Sequence, residues 1–125
     1  MDTKELGDKG EKLACEYLVS KGYKILDKNC EFKFGEIDIV AKPRGWFSQK
    51  VIHFVEVKSS FAENKTFFPE ERVDYKKQNR YKKLAEVWMT KNKIPENTPY
   101  QIDVIAIMGA DEKPIIDFFE NVVSG

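Results

Sequence analysis

The sequence predicts one α/β domain: a central mixed five-stranded sheet flanked by helices, in the order αβββαββ. Three observations predict it. Apolar residues recur at helical spacing near the start of the chain, the run Val51–Lys58 reads as a buried strand, and a second helical stretch separates three candidate strands from two. With 125 residues, of which 42% are hydrophobic, the chain can hide roughly two thirds of its unfolded surface and form one domain over 1–125.

Leu6, Leu13, Ala14, Tyr17 and Leu18 keep helical spacing and Gly22 is placed as a left-handed cap, so the first helix covers about 3–21. Gly7 and Gly10 lie near its start, where helix fraying is the expected reading and a close backbone approach the other. Tyr23-Lys24-Ile25-Leu26 makes a short strand, and Glu36–Ala41 a second with β-branched residues at alternate positions. Pro43, Gly45 and Ser48 end it. Val51–Lys58 is the spine of the sheet, and 59–69 a loop holding Phe61, Phe67 and Phe68. Asp74 caps a second helix reaching about Asn92, with Tyr81, Leu84, Ala85, Trp88 and Met89 as its apolar stripe. Strands at Ile102–Ile107 and Ile115–Phe119, joined through Gly109-Ala110-Asp111, complete the order. The first three strands should form a meander, and the helix after them a crossover to a parallel neighbour.

Composition narrows the function classes. Cys15 and Cys30 lack the paired spacing of a zinc site and make a poor disulfide framework, so a reducing, cytoplasmic setting is expected. No apolar run approaches the ~20 residues that cross a bilayer, and the acidic start Met1-Asp2-Thr3-Lys4-Glu5 is unlike an export signal. Formal net charge is zero, yet it is unevenly spread: residues 72–93 hold 8 basic and 2 acidic side chains, whereas residues 94–125 hold 1 and 6. A basic stripe beside a neutral body can follow a phosphate backbone, or serve only as a solvated helix face.

Alternation along the third strand puts Ile52, Phe54, Glu56 and Lys58 on one face and Val51, His53, Val55 and Val57 on the other. In the second strand Glu36 and Asp38 fall together, opposite Ile37 and Ile39. If the two strands are neighbours, Asp38 and Glu56 stand side by side with Lys58 about 7 Å farther along. A divalent cation relieves the repulsion between two carboxylates, and oxygen donors favour Mg²⁺ or Mn²⁺. An ammonium beside the metal suits phosphodiester hydrolysis. On spacing alone, a buried ion triad without catalysis is an equal reading.

Gly10-Glu11, Ala14, Tyr17-Leu18, Gly22-Tyr23, Asn29, Gly35-Glu36-Ile37-Asp38-Ile39-Val40-Ala41, Phe54-Val55-Glu56-Val57-Lys58, Lys77-Gln78 and Asp103-Val104-Ile105 together resemble the bacterial YraN-like family over about Leu6 to Ile107. That family is placed among PD-(D/E)XK nucleases and is similar in fold to archaeal Holliday-junction resolvases. The resemblance implies a restriction-endonuclease-like core acting on nucleic acid, DNA above all. It implies one or two Mg²⁺ or Mn²⁺ ions at Asp38, Glu56 and the Val57 carbonyl, Lys58 as the water-activating group, and Glu11 and Gln78 completing the site. Glu36 is expected as a supporting carboxylate. Lys76, Lys77, Arg80, Lys82 and Lys83 are the expected phosphate contacts, Lys77 snorkelling from the apolar face. Junction-cleaving relatives act as dimers, so a homodimer is admitted. Two features depart from the family pattern: Ser59-Ser60 follows Lys58 where relatives often carry Thr-Arg, and 42–50 lengthens a turn that holds Trp46 and Phe47. His53, on the face opposite Glu56, is read as a satisfied half-buried histidine rather than a ligand, and Asp103, in an apolar strand, is expected to need partners such as lysine or backbone N–H groups, with its role left open. The rival readings are a nuclease-fold module that binds nucleic acid without turnover, and a metal-free fold with a protein partner.

Overall fold

The computed structural model describes residues 1–45, 50–62 and 75–122, and the side chains of the second helix from residue 79 onward. Asp74, Trp46, Phe47, Phe67 and Phe68 lie outside the described residues, as do the side chains of Lys76, Lys77 and Gln78.

Helix α1 (Thr3–Ser20) is capped by Asp2, whose carboxylate accepts the Glu5 N–H at 2.8 Å, and ends at Gly22 with φ 92°. Its buried residues, Leu6, Gly10, Ala14 and Leu18, form one row four apart. Gly10 is a close approach and not a fraying point: a Cβ there would lie 1.7 Å from Ser59 Oγ, whereas one at Gly7 would meet nothing within 4 Å.

Strands β1 (Tyr23–Phe32), β2 (Gly35–Pro43) and β3 (Ile52–Ser60) form an antiparallel meander. Helix α2 (Tyr75–Lys91) then crosses to β4 (Tyr100–Met108), which pairs parallel with β3, and β5 (Ile115–Phe119) returns antiparallel to β4. The sheet order is β1-β2-β3-β4-β5 and the element order αβββαββ, as the sequence predicts. β1 is longer than the expected Tyr23–Leu26. It is an edge strand whose alternation is broken by an irregularity between Ile25 and Asp27, and Asp27, Lys28 and Glu31 interrupt its apolar residues beyond that point.

Each helix covers one face. Under α1 lie Ile39, Val55, Ile105 and Ile107 with Leu6, Ala14 and Leu18; under α2 lie Val40, Phe54, Ile102 and Val104 with Leu84, Ala85, Trp88 and Met89. At ~25 cal/mol per Å² of apolar surface hidden, these two clusters supply the main driving force for folding. Phe61 folds back onto the α1 cluster, which explains one of the loop phenylalanines. Both cysteines are free, and among the described residues no helix is long and apolar enough to cross a membrane.

Candidate functional site

The site begins where β2 and β3 stop pairing. Their register runs Ala41↔His53, Val40↔Phe54, Ile39↔Val55 and ends there, while β2 stays paired with β1 as far as Gly35 and β3 with β4 as far as Ser60. One step beyond Ile39, the side chain of Asp38 replaces the ladder: its Oδ2 accepts the Val57 N–H at 2.8 Å. The neighbouring strands diverge around that bond. Between them opens a cleft of about 310 Å³ lined by Gly35, Glu36, Asp38, Glu56, Arg80, Tyr81 and Leu84. Asp38 and Glu56 therefore share one cleft, on the α2 side of the sheet. Ile37 and Ile39 do not share a face as alternation predicts. Ile37 packs under α2 and Ile39 under α1, because β2 follows β1 once it has lost its β3 partner.

The cleft is short of positive charge. Burial pushes the Asp38 carboxyl up to about 7; the Val57 N–H opposes that shift, and the charges of Glu11, Glu36 and Glu56 add to it. Glu56 is mostly covered, its side chain 11% exposed, and its Oε1 meets Lys58 Nζ at 2.7 Å. Its Oε2 is buried and no donor meets it at ordinary hydrogen-bond geometry, although the Tyr81 phenol is directed at the same carboxylate. Such an orphaned carboxylate oxygen is expensive in a protein interior. Two carboxylates, one holding an unspent buried oxygen, fit a hard divalent cation. The Val57 backbone, whose N–H is fastened to Asp38, directly follows Glu56 in β3.

The remaining expected residues are distributed. Glu11 is in a different cleft, on the α1 side with Asp8, Lys12, Cys15, Glu16, Lys28 and Asn29, and it touches Asp38 only through its charge. Burial raises its own carboxyl, with Glu36 and Asp8 adding to the shift. Glu36 lines the Asp38 cleft from its exposed end. Arg80 lines that cleft too, and with Lys83 it also borders Phe34. Lys82 faces elsewhere, over the start of β4 beside Thr98 and Asn121. The basic stripe of α2 thus divides between two sides of the helix.

Two functional neighbours are absent from the sequence reading. Tyr81, expected as a stripe residue, has its ring on the core and its phenol at the cleft, where burial and next the Glu56 charge hold the phenol above its ordinary range. A tyrosine bordering an apolar stripe is the signal for such a polar tip. Asn29 adopts φ 52° and sets its amide against both oxygens of Glu11; assigned by its partners, the amide presents its nitrogen there, 3.3 Å from Oε2 and closer to Oε1. Asparagine tolerates left-handed backbone, so its place inside a strand was the available clue.

His53 and Asp103 satisfy each other. His53 Nδ1 and Asp103 Oδ2 are 2.6 Å apart and buried, and Asp103 Oδ1 accepts from Gln101 Nε2 and the Asn121 N–H, both at 2.8 Å. With exposed Glu120 they are the only trio of metal-ligating side chains within 4.8 Å of one another among the described residues. Both Asp103 oxygens are already spent on internal partners, which makes this a tie between β3, β4 and the C-terminal segment.

The chain is matched over residues 10–107 by the model of an uncharacterised protein family, UPF0102. It is similar to a UPF0102 protein of Clostridioides difficile, 46% identical over 86% of this chain and 88% of that protein. A UPF0102 protein of Thermodesulfovibrio yellowstonii is 47% identical over 82% of this chain and 85% of its own, and one of Campylobacter lari 41% over 86% and 87%.

Proposed function

The chain belongs to the uncharacterised protein family UPF0102, and from that premise we propose that it is a metal-dependent endonuclease of the PD-(D/E)XK type acting on DNA. The observation that carries the reading is the pair of buried carboxylates in one cleft, Asp38 with its proton held up to about 7 and Glu56 with an orphaned oxygen. Asp38, Glu56 and the Val57 carbonyl would hold Mg²⁺ or Mn²⁺, which when bound neutralises the pair and makes water a better nucleophile. Hydrolysis adds a water oxygen to phosphorus and breaks the bond to the leaving oxygen; the water gives up one proton and the leaving oxygen takes one. Lys58, beside Glu56, orients that water and offsets the growing phosphate charge. Arg80, at the mouth of the same cleft, meets the phosphate backbone. Glu11 acts on the site through Asp38, and Gln78 keeps its place in the reading as a completing residue.

One observation favours a second reading, a nuclease-fold module that binds nucleic acid without turnover. The Lys58 ammonium is already engaged by Glu56 at 2.7 Å. The test combines calorimetry with Mn²⁺ and cleavage of single-stranded, duplex and branched DNA and of RNA, with Asp38→Asn and Lys58→Met as controls. Metal-dependent nicking that both changes abolish supports the nuclease. Nucleic-acid binding that survives both changes, with no nicking by the parent, selects the module, and absence of a Mn²⁺ binding heat removes the metal site altogether.

A further inference from the structure

A large apolar side chain stands on the rim of the acidic cleft where packing has no use for it. β1 and β2 are joined by a two-residue turn, Lys33-Phe34, between the paired residues Phe32 and Gly35. Gly35 takes the unusual backbone of this turn and neither Lys33 nor Phe34 has a positive φ, so the backbone does not dictate which side chain stands at 34. Here the second position is Phe34, 45% exposed. The turn is fixed against α2 by Gly35, at φ 153°, where a Cβ would lie 3.2 Å from Leu84 Cδ1 and 3.6 Å from Arg80 Cδ. The turn that carries the ring thus packs closely on α2.

Beside it is a hollow of about 440 Å³ lined by Phe34, Asn79, Arg80 and Lys83. Arg80 belongs both to this hollow and to the cleft of Asp38 and Glu56, so the two are adjacent. An aromatic face, an amide and two cations are the parts needed to take one nucleotide: ring on base, amide on base edge, cations on phosphate. The acidic cleft repels phosphates, which makes a cationic, aromatic margin the natural place to hold the strand.

We propose that Phe34, with Asn79, Arg80 and Lys83, is a stacking platform for an unpaired nucleobase, so that the substrate class is nucleic acid with single-stranded nucleotides beside the scissile bond. This inference rests on the nuclease reading for its second half and on the Phe34 hollow for its first. Bases in a duplex already stack on their neighbours and cannot lie on Phe34 without leaving the helix, whereas a free strand, a flap or a junction offers them at little cost. The platform therefore discriminates by strandedness and tolerates any base, since every base has a π-face.

The experiment measures fluorescence anisotropy of a labelled single-stranded DNA, the same strand with abasic positions, and the matching duplex, in Ca²⁺, with the parent, Phe34→Ala and Phe34→Tyr. Phe34→Ala is expected to weaken the single strand about tenfold, the size of one lost base–aromatic stack. Duplex affinity and the salt dependence stay unchanged, because no charge is removed. Phe34→Tyr restores binding, and the abasic strand binds the parent and Phe34→Ala alike. Equal losses on single strand and duplex, or no loss at all, overturn the platform; so does a parent dimer in light scattering that Phe34→Ala dissolves, since the ring then belongs to an interface between copies. The two readings separate cleanly. Stacking without cleavage by the parent upholds the platform and sinks hydrolysis. Cleavage indifferent to Phe34→Ala does the reverse, and a parent that binds none of the three DNAs refutes both.

Discussion

Replacing Asp38 by asparagine should stabilise the metal-free protein while abolishing metal binding. The carboxyl is raised from 3.8 to about 7, with burial the largest cause, so the folded state holds its proton more tightly than the unfolded chain does. The sign follows: the group's contribution is fully present below about pH 4 and is lost as pH rises through about 7. At 1.36 kcal/mol per pH unit, the ionised carboxylate costs the fold at most about 4 kcal/mol at pH 8. Relaxation and water penetration around interior charges bring the expected gain to about 2 kcal/mol. Asp38→Asn removes the charge and keeps an oxygen to accept the Val57 N–H, now 2.8 Å from Asp38 Oδ2. Urea unfolding followed by circular dichroism, in chelator at pH 5 and pH 8, checks it. At pH 8 the variant's midpoint should exceed the parent's by about 1 M, given a slope of roughly 1–3 kcal/mol per molar. The gap should close towards pH 4, and Mn²⁺ should stabilise only the parent. A variant less stable than the parent at pH 8 in chelator would show that the Asp38 charge is not penalised in the fold and refute the electrostatic reasoning.

Lys58→Met keeps the length of the side chain but leaves Glu56, whose Oε1 it meets at 2.7 Å, without its cation; a loss of about 1–3 kcal/mol in urea unfolding is expected, together with loss of nicking. Gly10→Ala drives a methyl to within 1.7 Å of Ser59 Oγ and should cost about 1–3 kcal/mol, relieved by Ser59→Gly, while Gly7→Ala, with open space around it, should stabilise by up to about 1 kcal/mol. Thermal unfolding of the set decides between close packing and simple helix propensity. Asp103→Ala strips acceptors from His53, Gln101 and Asn121 at once and should cost about 3–5 kcal/mol, with faster exchange of the Asn121 amide; Asp103→Asn keeps an acceptor and should cost less.

Local periodicity carries most of the architecture. The α1 row, the Val51–Lys58 spine and the α2 stripe each bury a face against the sheet, so composition at those positions and tertiary structure agree. β1 was harder to see because an edge strand can hold Asp27, Lys28 and Glu31 in water without cost, and its irregularity at Ile25/Asp27 destroys the period of two. The nearness of Asp38 and Glu56 was legible from alternation, since a meander makes β2 and β3 neighbours. What alternation cannot convey is the fork. The Asp38–Val57 bond and the facing of Ile37 depend on where a ladder stops, which is a property of three strands together. Asn29 on Glu11 and Tyr81 at Glu56 escape for the same reason: each links residues far apart in sequence through a side-chain tip.

The bonds at Asp103 latch the segment after β5 to the sheet. Its Oδ1 accepts the Asn121 N–H at 2.8 Å, and the Val122 N–H closes on the Ile102 carbonyl at 2.9 Å. A chain nicked after Phe119 would keep His53 and Gln101 on Asp103 and lose the Asn121 and Val122 bonds, so a protease trimming this segment would undo the latch while leaving every strand whole.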